Sequence, residues 1–135
     1  MLLLEREMKV VRDVAITMPD GNRSTIRVEF LILRNDQLNA IQAPALASLP
    51  VKRDQETAES LDARLWAHME AVTKVPFNLM NEAIIGWPED AGIMDGSGAP
   101  IPYSETAKSL LLSHEFIVQA LMNTYRKMIN PYQKY

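Results

Sequence analysis

Two stretches of alternating apolar and polar residues, separated by a turn, constrain this chain more than any other feature. Val10, Val14, Ile16 and Met18 fall on one face at a period of two, with Arg12 interrupting, and Ile26, Val28, Phe30 and Ile32 repeat the pattern around Arg27 and Glu29. Such alternation marks half-buried strands. Between them lies Pro19-Asp20-Gly21-Asn22. Proline presets one turn dihedral, and Asp-Gly or Gly-Asn accepts positive φ, so the segment predicts a β-hairpin. An isolated hairpin is marginal in water. Its apolar face must therefore be covered, either by later parts of the chain or by a neighbouring subunit.

After Arg34 the period changes to that of helices. Asn35 or Asp36 is placed to cap a short helix carrying Leu38, Ile41 and Leu46, which Pro44 ends or kinks. Pro50 to Gln55 reads as a polar connection. From about Glu56 to Lys74, Ala58, Leu61, Leu65, Met69 and Val72 form a helical stripe with Trp66 beside it, closed by Pro76. A shorter helix is expected from Asn78 to about Gly86. The stretch Gly86 to Tyr103 has no period and holds four of the five glycines, which makes it a loop. Ser104 can cap the next helix, bearing Ala107 and Leu110 to Leu112. Ser113 either breaks that helix or caps a last one. In the last helix Ile117, Leu121, Tyr125 and Met128 or Ile129 share one side with Phe116 and Ala120. After Asn130 a frayed tail is expected. The resulting fold class is α+β, mainly α: an N-terminal hairpin arm (1–34) and about five helices (35–135) in a single small domain, as the length allows.

The function classes excluded are numerous. The absence of cysteine removes disulfides, thiolate metal sites and cysteine nucleophiles and fits a reducing compartment. The first residues carry charges directly after a three-leucine run, unlike a signal peptide, so the expected location is the cytoplasm. The 14 basic residues are scattered and the net charge is −3, which argues against nucleic acid as a partner. His114-Glu115 begins the zinc-protease pattern, but position 118 is Val where the second His is needed. Gly96-Ser97-Gly98 lacks the third glycine of a phosphate loop, and Asp95, Ser97 and Ala99 do not make a calcium loop. The carboxylates of Glu56 and Glu59 read as solvated faces. No catalytic, metal or cofactor residue is assigned, and the expectation is a binding protein rather than an enzyme.

The segment Ile85 to Glu105 carries a more specific signal. Its order is Gly86-Trp87, an acidic loop through Asp95-Gly96, the step Gly98-Ala99-Pro100-Ile101-Pro102-Tyr103-Ser104, the run Leu110-Leu111-Leu112, and a final helix from Phe116 to Tyr125. This resembles the tail assembly chaperones of long-tailed bacteriophages, as does the hairpin with its Pro-Asp-Gly turn ahead of Phe30 and a first helix. The resemblance implies a helper absent from the mature virion, working in the host bacterial cytoplasm. Its partners would be the tape-measure protein, the tail-tube protein and further copies of itself. Apolar helix faces and the hairpin edge would coat the client. Many members also exist in a longer, frameshifted form, of which this chain would be the shorter counterpart. A different phage or prophage structural component, such as a tail-completion or head–tail connector protein, is the second reading. The candidate partner-contacting residues are Trp87, Ile101, Tyr103, Phe116 and Tyr125. Pro100 and Pro102 keep their neighbours extended, so Ile101 and Tyr103 face either the core or a partner.

Overall fold

The computed structural model of the chain describes residues 7–47 and 56–130. The expected connection at Pro50 to Gln55 and the expected frayed tail after Asn130 lie outside these residues. The chain divides into two compact units, one combining the residues up to Leu33 with those from Met80 onward, the other comprising Arg34–Leu79.

In the first unit the hairpin forms as expected. β1 (Met8–Thr17) and β2 (Arg23–Ile32) pair antiparallel with Val14 opposite Ile26. The Met18 N–H donates to Asn22 O (2.7 Å) and the Gly21 N–H to Met18 O (2.9 Å), while Gly21 takes φ +90°. A tight turn closed by a left-handed glycine is the geometry of a three-residue hairpin loop. Val14, Ile16, Ile26, Val28 and Phe30 are buried on one face of the sheet. Each fully buried side chain of this size contributes about 1.5–3 kcal/mol of transfer free energy.

The cover comes from the two C-terminal helices, α3 (Glu105–Leu112) and α4 (Glu115–Ile129). α4 lies along β1 and packs against α3. Its buried stripe is Val118, Leu121, Met122 and Tyr125; Leu121 and Tyr125 share one side as expected, with Val118 in the place foreseen for Ile117. Ser104 caps α3, its Oγ accepting the Ala107 N–H at 3.0 Å. Ser113 ends α3, donating its hydroxyl to Leu110 O.

Two helix boundaries differ from expectation. The helices foreseen at Glu56 to Lys74 and Asn78 to Gly86 are one, α2 (Ala58–Ala83), with Pro76 inside it. An internal proline costs about 3 kcal/mol. Beyond it Met80 and Ala83 are fully buried, and that packing outweighs the local preference. The described residues therefore contain four helices, not about five. The second difference is at Ile84 and Ile85, expected to be helical. They form β3 (Ile84–Gly86), which pairs antiparallel with β2 through Phe30 and Glu29 across a bulge. The sheet order is β1-β2-β3. β-Branched Ile84-Ile85 suits the strand, and β2 gains a partner on its second edge.

Past β3 the chain continues beside β2: the Arg27 N–H donates to Ala91 O at 2.9 Å. Gly92 adopts φ +83°, and a Cβ there would lie 2.9 Å from the backbone oxygen of Thr25. Gly92→Ala combines a left-handed penalty of about 1–2 kcal/mol with a contact only a strand shift can relieve. We expect a lower urea midpoint with an unchanged m-value. An unaltered midpoint would contradict this close approach.

The second unit holds α1 (Asn35–Ala47) and most of α2. At the start of α1 the Arg34 N–H donates to Gln37 Oε1 (2.8 Å) and Arg34 O accepts from Leu38 (3.0 Å). Arg34, rather than Asn35 or Asp36, thus holds the cap position, through the back-reaching half of a capping box. Pro44 lies inside α1. At the start of α2, Thr57 Oγ1 accepts the Ser60 N–H at 3.1 Å. Glu56, expected on a solvated face, instead holds the Arg64 guanidinium at 2.5 and 2.6 Å.

Candidate protein-binding surfaces

The segment Gly86 to Ser104 folds into a compact loop organised by Trp87. The Trp87 indole N–H donates to Ile101 O at 2.8 Å, and the Tyr103 ring meets the indole edge-on at 5.0 Å and 90°. The Ile101 N–H donates to Ile93 O at 2.9 Å, so the two sides of the loop are zipped together. At its tip Asp95 Oδ1 accepts from the Ser97 N–H (2.8 Å), the Ser97 hydroxyl (2.6 Å) and the Ala99 N–H (3.1 Å). These donors, the Ser97 hydroxyl foremost, hold the Asp95 carboxyl below the usual carboxylate range. Gly98 at φ +83° closes the turn. Gly96-Ser97-Gly98 is thus wound around a carboxylate, which sets acceptor oxygens where a phosphate cradle needs donors.

Between this loop and the outer face of the sheet lies an open concavity of about 510 Å³, with Val11, Trp87, Pro88 and Tyr103 as apolar walls and Arg27 and Glu29 as charged ones. Arg27 joins loop to hairpin: its Nε–H donates to Asp13 Oδ1 (2.9 Å) across the strands and its Nη1 to Asp90 Oδ2 (3.4 Å). The Asp13 hydrogen bond, then the charges of Asp13 and Asp90, raise the guanidinium pKa. An apolar wall facing a fixed charge suits a peptide segment with a side chain to bury and a polar flank. Among the described residues no group of three or more His, Asp or Glu side chains is placed to hold a metal ion.

Of the five residues singled out from the sequence, the structure brings together Trp87, Ile101 and Tyr103. Phe116 lies apart from them, on α4 beside a smaller concavity of about 370 Å³ that also touches Ala15 and Thr17. Its ring packs on His114 at 5.7 Å. Tyr125 is a core residue: it is 1% exposed, stacked obliquely on Phe30 at 5.8 Å, and leaves no surface for a partner. The alternation of core and surface on α4 is set by the sheet it covers, which helical period alone does not orient.

The second unit carries a surface that the period did not distinguish from a core stripe. Along α2, Leu65, Trp66, Met69, Val72 and Phe77 are all exposed, Trp66 at 72%. Trp66 and Met69 form one wall of an apolar concavity of about 450 Å³, flanked by Glu70 and Lys74. These two are themselves paired at 3.2 Å. No described helix is long and apolar enough to cross a membrane. Comparison with protein-family models, with curated proteins and with solved structures finds no match for the chain.

Proposed function

We propose that this chain is a non-catalytic tail assembly chaperone of a long-tailed phage, which binds the tape-measure protein, keeps it soluble and assists tail-tube assembly. The observation that carries the reading is the Gly86 to Ser104 segment. The residues that resemble that family, Trp87, Ile101 and Tyr103, form one interlocked loop rather than scattered positions. The exposed apolar face of α2 adds support. A contiguous apolar surface on a small protein marks an interaction site, and an apolar helix face binds a complementary amphipathic helix through residues at i, i+3 and i+7. Tape-measure proteins are long, helical and aggregation-prone, so they present such stretches repeatedly. Binding by mass action lowers the concentration of free client and thereby its aggregation.

Co-expression with the tape-measure protein of the same genome tests this. The expected result is a co-purifying complex and a larger soluble fraction of client. Trp66→Ser combined with Met69→Ser, both at exposed positions, is expected to abolish the gain while leaving the fold intact. Wild-type chain that neither binds nor solubilises the client would overturn the reading.

A further inference from the structure

Among the described residues, β1 is an edge strand of ten residues, paired on one side only. The direction of its unused groups follows from the register. The Arg27 N–H is turned away from β1, toward Ala91 O, so Asp13 and Arg27 are a non-hydrogen-bonded pair. The Met18 to Asn22 bond gives the same parity. Hydrogen bonds between β1 and β2 therefore use the even residues of β1. The N–H and C=O groups of Lys9, Val11, Asp13 and Ala15 point to the open edge. Beside them Val11 is 45% exposed and Met8 also stands in solvent. A long, regular edge with apolar side chains is a template for another strand.

Charge identifies the strand that fits. Two identical antiparallel strands related by a two-fold axis must centre on one residue facing its own copy. Within β1, centring on Lys9, Arg12 or Asp13 sets like charges face to face, and centring on any other residue except Val11 sets no opposite charges opposite one another. Centring on Val11 sets Lys9 opposite Asp13 of the second copy, twice, with Val11 against Val11 between them. Opposite charges in directly facing positions stabilise a strand pair and like charges destabilise it, each by about 0.2–1 kcal/mol. Asp13 already takes Arg27 Nε at 2.9 Å, and a carboxylate with about four lone-pair sites can accept from both. Lys9 stands 3.9 Å from Glu7 in the single chain, a distance that leaves its ammonium able to turn outward.

We propose that β1 is a self-association edge: two copies of the chain join β1 to β1 antiparallel, centred on Val11, into one continuous sheet locked by reciprocal Lys9–Asp13 pairs. Val11 then exchanges both backbone hydrogen bonds with its copy, at a Cα separation of about 5.5 Å. That is within disulfide reach, whereas two copies of residue 9 lie about 13 Å or more apart along the strands.

Because the chain has no cysteine, single thiols report the register directly. Sedimentation equilibrium of the full chain is expected to show a dimer. Val11→Lys and Lys9→Glu, whose side chains leave the β1–β2 ladder intact, should each weaken it by about tenfold or more with unchanged circular dichroism. Under mild oxidation Val11→Cys should give a covalent dimer and Lys9→Cys should not. A wild-type monomer at all concentrations overturns the proposal. So do a dimer indifferent to both charge variants and equal cross-linking at positions 9 and 11.

Discussion

Replacing Tyr125 by Ala is expected to destabilise the protein by about 3–5 kcal/mol, the usual range for emptying a buried aromatic site. That is a large share of the total for a domain of this size. The ring fills the space between α4 and β2 against Phe30. Its hydroxyl accepts the Leu33 N–H at 2.9 Å and donates to Leu31 O at 3.4 Å. Tyr125→Phe separates the two contributions. It keeps the ring and strips the Leu33 N–H of this partner at a buried position, at a cost of about 1–3 kcal/mol. The same phenol makes stability pH-dependent. Burial raises the Tyr125 pKa above its ordinary value. Past about pH 10 the unfolded chain has begun to lose this proton while the folded chain retains it. The unfolded state then binds fewer protons, so stability falls as pH rises from there toward the raised value. Urea titrations at neutral pH and up to about pH 11 read both effects. The phenylalanine variant should be weaker at neutral pH and should lose less of its remaining stability in alkali. A variant with wild-type stability and the same alkaline slope would show that the hydroxyl is not held in the core.

Lys108→Met is expected to cost about 1.5–3 kcal/mol, the range for hydrogen bonds from a charged donor. Lys108 is 5% exposed although it is a lysine on a short helix. Its ammonium donates to Asn81 O at 2.8 Å and to Ile84 O at 3.4 Å, where α2 ends and β3 begins. The last carbonyls of a helix lack internal partners and carry the negative end of its dipole. α2 has no basic residue in its own last turn. α3 supplies one through space. Met keeps the apolar stem and removes the donor, so the cost reports the capping rather than the packing. Glu105, which reaches Lys108 at 3.3 Å from a side chain that is largely in solvent, should matter far less. Glu105→Gln is expected to change stability by less than about 0.5 kcal/mol. Hydrogen exchange would localise the effect, with faster exchange in the Lys108→Met variant at the end of α2 and in β3. Equal losses in the two variants would contradict the capping role.

The hairpin, its turn and the Ser104 cap were legible because their causes are local. Pro19, Asp20 and Gly21 prefer the backbone angles of a three-residue loop whatever surrounds them. The Ser104 hydroxyl reaches a donor only three residues away. The α+β class followed from periodicity for the same reason. Trp87 was recognisable as a pin for its loop, since a tryptophan at an element end before proline has few other uses, although its acceptor at Ile101 lies 14 positions on. Lys108 gave no signal, because nothing local distinguishes it from a surface lysine on α3.

What the sequence alone determined about this protein is therefore what short-range preferences decide: strands where apolar residues alternate, turns where Gly and Pro demand them, and helices where the period is 3.6. Tertiary structure decided what depends on partners distant in the chain. Burial of Met80 and Ala83 carried α2 through Pro76, where local preference ends a helix. The open edge of β2 drew Ile84 and Ile85 into a strand, although the same residues continue a helical stripe. The sheet beneath α4 sent Tyr125 into the core and left Phe116 at its margin. In each case the free energy of burial or of a satisfied backbone group exceeds a local preference of about 1–3 kcal/mol, and no residue can express that surplus before its partners are in place.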